Sequence, residues 1–241
     1  MELQFEMPVT VQPGDVDAKG DLKLSALLYY AQETAGGHCK LLGLDWDAMN
    51  EKGLFWAVLR HRVIIHRLPK LQEQVTFRTW PMPTTRVAYP RCVQALDAQG
   101  NVLLEAVSLW VIMDKEKRSM LLPGKSGVEV NGILRGCEPE APSSLTPGSH
   151  EQCRLWTVTR HDLDLNGHVN NAKYLDHIQD LLEDQLPKEL VVCYLAETRL
   201  EQTVTLQWSL SDDGILTVDG CRPRTDVPDR TERVFAARVI C

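Results

Sequence analysis

The residues best suited to chemistry lie close together in the second half of the chain. Asp162, Asp164, Asn166 and His168 alternate along one short stretch. A carboxylate beside an imidazole can take a proton from water, and an amide can hold a carbonyl oxygen as it gains negative charge. An apolar-periodic run at 172–182 follows and predicts a helix that extends to about residue 186. Because the first N–H groups of a helix are unpaired and lie at the positive end of its dipole, this stretch can receive a developing negative charge.

Two simpler interpretations of this stretch are a calcium loop and a helix cap. The pattern D-x-D-x-N-G begins at Asp162, but the twelfth position, where a calcium loop needs glutamate, is Lys173. Asp and Asn are also common before helices because they accept hydrogen bonds from unpaired amides. Capping accounts for one or two of these residues, and we assign Asp162 and His161 to cap and surface. It does not account for a histidine and three asparagines crowded among them.

The composition is that of an ordinary globular protein. The 241 residues are 44% hydrophobic and 24% charged, which suffices for one large domain or two small ones. A net charge of −7 without a long basic run argues against nucleic acid as the main partner. No stretch approaches the roughly 18 consecutive apolar residues of a membrane span. The acidic start, residues 1–6, lacks the pattern of a signal or transit peptide.

Cysteine usage favours a reducing compartment. The chain has seven cysteines, and no two of them are spaced C-x-x-C. They predict reduced thiols in a cytoplasmic protein rather than a disulfide framework or a zinc site. No other metal-ligand pattern is complete, so we expect neither a metal ion nor an organic cofactor.

The same order of elements occurs twice along the chain. A strand, a helix beginning near Leu24 and a meander of strands at 54–113 are followed by a second strand, helix and meander from residue 154 onward. The second meander is predicted to begin with a strand at 190–197. Asp15 and Asp17 stand in the first set where Asp162 and Asp164 stand in the second. This repetition predicts two domains of the same kind.

Between the two sets the composition changes. Residues 137–152 are rich in proline, serine and glycine and predict a linker. We therefore expect an α+β protein with an N-terminal domain at 1–136 and a C-terminal domain at 153–241. An antiparallel sheet rolled around one long helix would bury the apolar stripe of each helix.

The chemical stretch also resembles a known family. Residues 164–171 with Tyr174 are similar to D-x-N-x-H-V-N-N-x-x-Y, the signature of plant and bacterial acyl–acyl carrier protein thioesterases. The resemblance spans about 3–204 and implies two tandem hot-dog repeats that hydrolyse fatty acyl–carrier thioesters, which releases fatty acid and ends chain elongation. Further similar segments are Q-E-T-A at 32–35 with His38, W-A-V-L-R at 56–60, T-W at 79–80, W-V-I-M-D at 110–114 and Y-L-A-E at 194–197.

Chemistry and resemblance together assign four catalytic residues. Glu197 would act as base or nucleophile, and His168 would position the water or share its proton. Asn166 would hold the carbonyl or the water, and Asp164 would orient this network. The division of labour between Glu197 and His168 stays open. Plant members have a cysteine directly after the glutamate, where this chain has Thr198, so a thiolate mechanism at that place is excluded.

The first repeat is expected to bind substrate rather than react with it. Where the second repeat has the amide, the imidazole and the carboxylate, the first has Lys19, Asp21 and Leu68. None of these three supplies the same acid–base set. Its interior would instead hold the acyl chain, lined by Leu27, Ala31, Trp56 and Val58.

The carrier protein is the expected partner, and two alternative functions stay open. Carrier proteins are acidic, so a net-acidic enzyme needs a local basic surface. One alternative is a coenzyme A thioesterase. The other is a non-catalytic acyl-ligand-binding module, such as a regulator, although the chain lacks a basic DNA-binding segment. The sequence leaves open acyl chain length, saturation and oligomeric state, including a homodimer. The candidate docking residues are Arg60, Arg62, Arg67 and Lys70.

Overall fold

The chain consists of two compact units that both combine antiparallel strands with helices, which confirms the α+β prediction. A computed structural model describes residues 3–183, 185–224 and 230–241. The units are Met1–Pro142 and Ser143–Cys241, so the division falls inside the segment expected to be a linker. In the part of the chain that is described, no helix is long and apolar enough to cross a membrane.

The first unit is an antiparallel sheet with one long helix. The sheet order is β1-β3-β4-β5-β2, with β6 paired to β5. The strands are β1 (Phe5–Thr10), β2 (Leu54–Ile65), β3 (Gln74–Pro81), β4 (Tyr89–Leu96), β5 (Val102–Asp114) and β6 (Ser119–Leu121). The helices are α1 (Leu24–Leu41) and two short ones that the sequence did not predict, α2 (Trp46–Glu51) and α3 (Pro123–Ser126).

Helix α1 packs on β1 and β3 through its apolar face. The ring of Tyr30 lies 5.4 Å from that of Phe77 on β3. A side chain on Gly37 would place its Cβ 2.7 Å from the ring of Phe5, so glycine is what lets β1 approach the helix. Each large apolar side chain buried in this way contributes about 1.5–3 kcal/mol. The apolar residues buried on α1 are Leu24, Ala26, Leu27, Leu28, Ala31 and Ala35.

The other face of this sheet is covered by residues 128–142, which form no regular element. Ile133 packs against the cluster around Trp80, and the guanidinium of Arg135 lies 4.8 Å from the Trp80 ring centre. The Trp80 indole N–H donates to Glu138 at 3.0 Å. Residues 137–142, expected to be part of a linker, are therefore packed within the first unit.

The second unit repeats the arrangement with a shorter helix. Its helix α4 (Lys173–Leu182) has 10 residues against 18 in α1. The sequence predicted a helix to about residue 186, but Glu183 adopts a positive φ of 54° and ends it. The sheet order is β8-β11-β10-β9-β7. Its strands are β7 (Gln152–Thr157), β8 (Glu189–Tyr194), β9 (Thr203–Leu210), β10 (Ile215–Pro223) and β11 (Thr231–Ile240).

Helix α4 and the sheet of the second unit share one apolar core. Phe235 on β11 lies against Tyr174, with ring centres 4.7 Å apart. A Cβ on Gly220 would fall 2.0 Å from the Phe235 ring, so this ring packs directly on the β10 backbone. The buried residues of α4 are Tyr174, Leu175, Ile178, Leu181 and Leu182.

A buried carboxylate attaches the start of the second unit to its sheet. Asp219 on β10 accepts from His150 at 2.8 Å, from the Gly148 amide at 3.0 Å and from Arg233 at 2.9 Å. Arg233 also donates to the carbonyl of Leu145. Burial alone would raise the pKa of Asp219, but these donors outweigh it and lower the pKa. Residues 145–150 are thus hydrogen-bonded into the second unit.

Candidate active site

Side-chain hydrogen bonds to backbone amides hold both ends of the chemical stretch. Asp162 accepts from the backbone N–H and the hydroxyl of Thr159, at 2.7 and 2.9 Å. Asn170 accepts from the Ala172 amide at 2.9 Å, just before α4. Capping therefore explains Asp162, as expected, whereas Asn170 closes a turn before α4, whose N-cap Ala172 has no side-chain cap. His161 is exposed.

Between Asp162 and Asn170, Asp164 folds the chain into a tight turn. Its Oδ1 accepts from the backbone N–H groups of Asn166 and His168, at 2.9 and 3.2 Å. Its Oδ2 accepts from the Asn166 side chain at 3.3 Å. Gly167 completes the turn with a φ of 74°, which glycine adopts without strain. The carboxylate is thus occupied by N–H donors from its own loop, and the turn positions His168.

Glu197 lies in a loop and not at the end of a strand, which corrects the predicted strand 190–197. Strand β8 ends at Tyr194 because the next two amides both donate to the carbonyl of Val234, at 2.8 and 3.1 Å. The chain then leaves the sheet and approaches the turn. The amide of Val169 donates to the carbonyl of Thr198 at 2.8 Å, which holds the two loops side by side.

This backbone contact brings an imidazole and a carboxylate together. His168 Nε2 lies 3.0 Å from Glu197 Oε2, with the two side chains 13% and 37% exposed. Arg199 Nη2 lies 3.5 Å from the same oxygen and is mostly exposed. Because the ionised carboxylate can only accept, His168 donates through Nε2. The carboxylate is therefore held from two sides and stays partly open to water.

The four predicted catalytic residues occupy different positions in this arrangement. His168 and Glu197 are in direct contact, whereas Asp164 reaches His168 through its main chain. Asn166 is exposed, and its side chain donates to Asp164. Sequence reasoning missed Arg199, although it stands only two residues after Glu197.

The first unit contains the same turn with different side chains. Asp17 Oδ1 accepts from the amides of Lys19 and Asp21, at 2.9 and 3.0 Å. Gly20 has a φ of 79°. Asp21, in the place of the imidazole, pairs with Lys70 at 2.5 Å. An aspartate at this first position therefore builds the turn whether or not an acid–base group follows.

The residues expected to line an acyl site are apolar and packed in the first unit. Leu27 and Ala31 are buried on α1, and Val58 is buried on β2. Trp56 is half-buried, stands edge-on to Tyr89 at 5.1 Å and donates its indole N–H to a backbone carbonyl. Their apolar character fits a lining role, which stays a prediction.

The candidate docking residues differ in how their charge is used. Three are paired with carboxylates: Arg62 with Glu140 at 3.7 Å, Arg67 with Glu73 at 2.6 Å and Lys70 with Asp21 at 2.5 Å. Among the described residues no carboxylate pairs with Arg60.

The cysteines and the acidic residues offer little to support thiolate or metal chemistry. Burial raises the pKa of Cys39, Cys221 and Cys241, which disfavours the reactive thiolate. Cys193 is buried, and its thiol lies 3.7 Å from the carbonyl of Ser143. Within residues 3–183, 185–224 and 230–241, no three or more His, Cys, Asp or Glu side chains are grouped as metal ligands.

Two sheet-and-helix repeats define the fold, and two solved structures share it. An acyl-ACP thioesterase from Bacteroides thetaiotaomicron has a TM-score of 0.87 and 24% identity, over 98% of this chain and 97% of that one. The 12:0-ACP thioesterase from Umbellularia californica has a TM-score of 0.81 and 20% identity, over 100% and 97%. The fold is thus two tandem hot-dog repeats, as predicted.

The family follows from sequence models. The acyl-ACP thioesterase N-terminal domain matches residues 2–122, and the acyl-ACP thioesterase C-terminal domain matches residues 147–223. The chain belongs to the acyl-ACP thioesterase family, which confirms the resemblance.

Curated relatives are similar in sequence over part of their length. A chloroplastic palmitoyl-acyl carrier protein thioesterase from Gossypium hirsutum is 26% identical over 230 residues, 87% of this chain and 56% of the relative. A dodecanoyl-[acyl-carrier-protein] hydrolase from Cinnamomum camphora is 25% identical over 199 residues, 76% and 52%. The chain spans about half the length of the curated relatives it matches.

Proposed function

We propose that this protein hydrolyses fatty acyl–acyl carrier protein thioesters and releases free fatty acid. The observation that carries the proposal is the 3.0 Å contact between His168 and Glu197. Membership of the acyl-ACP thioesterase family supports the substrate class. The names of the matched relatives, a palmitoyl-carrier thioesterase and a dodecanoyl-carrier hydrolase, support a fatty acyl group.

The reacting group in this proposal is the carboxylate of Glu197. His168 Nε2 is committed as a donor to Glu197, so Nε2 cannot also act as the base, and the basic atom at this contact is a carboxylate oxygen. As a base, Glu197 takes a proton from water, whose oxygen attacks the thioester carbonyl carbon. The carbon–sulfur bond then breaks, and the proton passes to the leaving thiolate. As a nucleophile, the same carboxylate attacks the carbonyl carbon directly, the carbon–sulfur bond breaks and the thiolate leaves. Water then hydrolyses the mixed anhydride, which releases the fatty acid, restores the carboxylate of Glu197 and supplies the proton taken up by the thiolate.

The remaining polar residues position or stabilise. Asn166 is anchored through one N–H to Asp164 and is exposed, so its amide can donate to the carbonyl oxygen as negative charge develops. Asp164 keeps the turn that presents His168. Arg199 adds positive charge beside the carboxylate of Glu197.

The first unit binds the acyl chain in this proposal. In its turn, Asp21 forms an ion pair with Lys70. The residue equivalent to Glu197 in this repeat is Leu68, which is buried. A leucine moves no proton, so chemistry is confined to the second unit. The apolar side chains of Leu27, Ala31, Trp56 and Val58 are suited to contact an acyl chain.

The test is fatty acid release from acyl-carrier and acyl-coenzyme A substrates of equal chain length. We expect wild type to favour the carrier substrate. Glu197→Ala should lower kcat by about 10²–10⁴-fold, the usual cost of a lost acid–base group. Glu151→Ala is the matched control, because Glu151 is an exposed glutamate of the same unit and should leave kcat unchanged. Preference for coenzyme A would favour the first alternative, and hydrolysis of neither substrate would favour the binding module.

A further inference from the structure

One arginine on β10 holds the loop that carries Glu197. Arg222 Nη1 donates to the backbone carbonyl of Glu197 at 2.6 Å and also to the side chain of Gln202. Its Nε and Nη2 donate to Glu232 on β11, at 3.0 and 2.9 Å. The Arg222 side chain is 12% exposed. A nearly buried guanidinium thus connects two strands to the main chain of the reacting residue.

Arg222 reaches both ends of this loop. Gln202, at the far end, accepts from the Arg199 amide at 2.8 Å with the same oxygen that receives Arg222. The Arg199 side chain in turn lies 3.5 Å from the Glu197 carboxylate. The guanidinium therefore holds Glu197 directly and holds Arg199 through Gln202.

The sheet is shaped to place Arg222 there. The register between β10 and β11 shifts between Gly220 and Cys221, and Arg222 lies opposite Glu232. The shift leaves Val234 without a partner on β10, and the carbonyl of Val234 accepts the two amides that follow β8. Bulges commonly redirect side chains beside active sites. The same irregularity thus ends β8 before Glu197 and places Arg222 under the loop.

We propose that Arg222 is a positioning residue for hydrolysis at this site. It does not touch the reacting atoms; it holds the main chain at Glu197 so that the carboxylate meets His168. This inference rests on the proposed function. Arginine suits the task because its planar fork donates in several directions at once, which a lysine ammonium on a single flexible stem does not reproduce.

A purely structural role makes different predictions, and Arg233 supplies the control. Arg233 lies on the neighbouring strand, is partly buried and pairs with Asp219 at 2.9 Å, away from Glu197. Arg222→Ala should lower kcat by about 10–100-fold with KM within about threefold, because misplacement by about 1 Å can cost that much. Arg222→Lys should recover part of the loss. Arg233→Ala should lower Tm and leave kcat within about threefold of wild type.

The decisive measurement is a double-mutant cycle on the acyl-carrier substrate. If Arg222 acts through Glu197, Arg222→Ala should cause no further loss of the residual kcat in a Glu197→Ala background. Should Arg222→Ala fail to fold, Arg222→Lys takes its place in the cycle. Additive losses, or a kcat loss that only follows Tm as in Arg233→Ala, would overturn the proposal. If wild type is active, Glu197→Ala is inactive and Arg222→Ala keeps full kcat, only this inference fails; an inactive wild type contradicts the proposed function itself.

Discussion

Asp164 and Asp17 occupy equivalent positions in the two repeats and accept equivalent backbone hydrogen bonds. The Oδ1 atom of each accepts hydrogen bonds from two backbone amides and closes a turn that contains a glycine with positive φ. Only one of the turns presents His168. In the proposed mechanism the imidazole and Glu197 therefore carry the chemistry, while the aspartate supplies geometry. A motif with an acid at a fixed place identifies the turn more securely than it identifies a catalytic acid.

Two candidate docking residues, Arg67 and Arg60, differ in whether a carboxylate already neutralises their charge. Arg67 is committed to Glu73 by two bonds of 2.8 and 2.6 Å, and its hydrogen bonds are the main cause of the lowered pKa of Glu73. Arg60 has no such carboxylate among the described residues, so its charge is available to an acidic carrier. Arg60→Ala should lower kcat/KM for acyl-carrier substrate about 2–5-fold at low salt, because unpaired rim charges act on encounter. The loss should shrink as salt rises.

Arg67→Ala is the matched control and should have a smaller effect at every salt concentration. Stopped-flow or steady-state kcat/KM at several ionic strengths gives the comparison, with acyl-coenzyme A as the second substrate. Equal salt dependence for the two variants, or for the two substrates, would count against docking through Arg60.

In strand β2, a bulge switches which alternate side chains are buried. The register with β5 shifts between Val58 and Arg60. Leu54 and Val58 are buried before it, and His61 and Val63 are buried after it. A regular alternation through this strand would have placed His61 outward and Arg60 inward. The sequence predicted the strand but not the bulge, because a one-residue insertion leaves the average pattern almost unchanged.

The buried His61 should make the protein less stable in mild acid. Burial lowers its pKa from 6.5 to about 4. Below pH 6.5 the unfolded chain binds a proton that the folded chain does not, so stability falls as the pH drops towards 4. The full effect is about 3 kcal/mol, of which about 2 kcal/mol should appear between pH 7 and pH 5.

Urea unfolding at pH 7 and pH 5 tests this prediction with two variants. His61→Gln should lose about 2 kcal/mol less than wild type across that interval, whatever its stability at pH 7. Val63→Ala, a core truncation without a titratable group, should be destabilised equally at both pH values. Parallel pH dependence in wild type and His61→Gln would show that His61 does not contribute to acid sensitivity.

Across the whole molecule, the sequence predicted the repeated elements but not the packing of the irregular segments. Periodic apolar positions and the paired aspartates predicted two sheet-and-helix repeats. Residues 128–142 and 145–150 carry no periodicity, so their packing on the sheets left no signal. The loop position of Glu197 depends on the two amides after β8 that donate to the carbonyl of Val234. Arg222, which holds that loop, lies on a different strand. These features arise from tertiary contacts that no local pattern encodes.

The proposed division confines the chemistry to the second repeat, through His168 and Glu197. Its most direct test is kcat on one acyl-carrier substrate for two variants at equivalent places, His168→Ala and Asp21→Ala. The first should lose about 10²–10⁴-fold. The second removes only a partly exposed ion pair with Lys70 and should stay within about tenfold of wild type, or about 1.4 kcal/mol of barrier. An equal collapse in both, with each variant folded, would contradict the division into a reacting and a binding repeat.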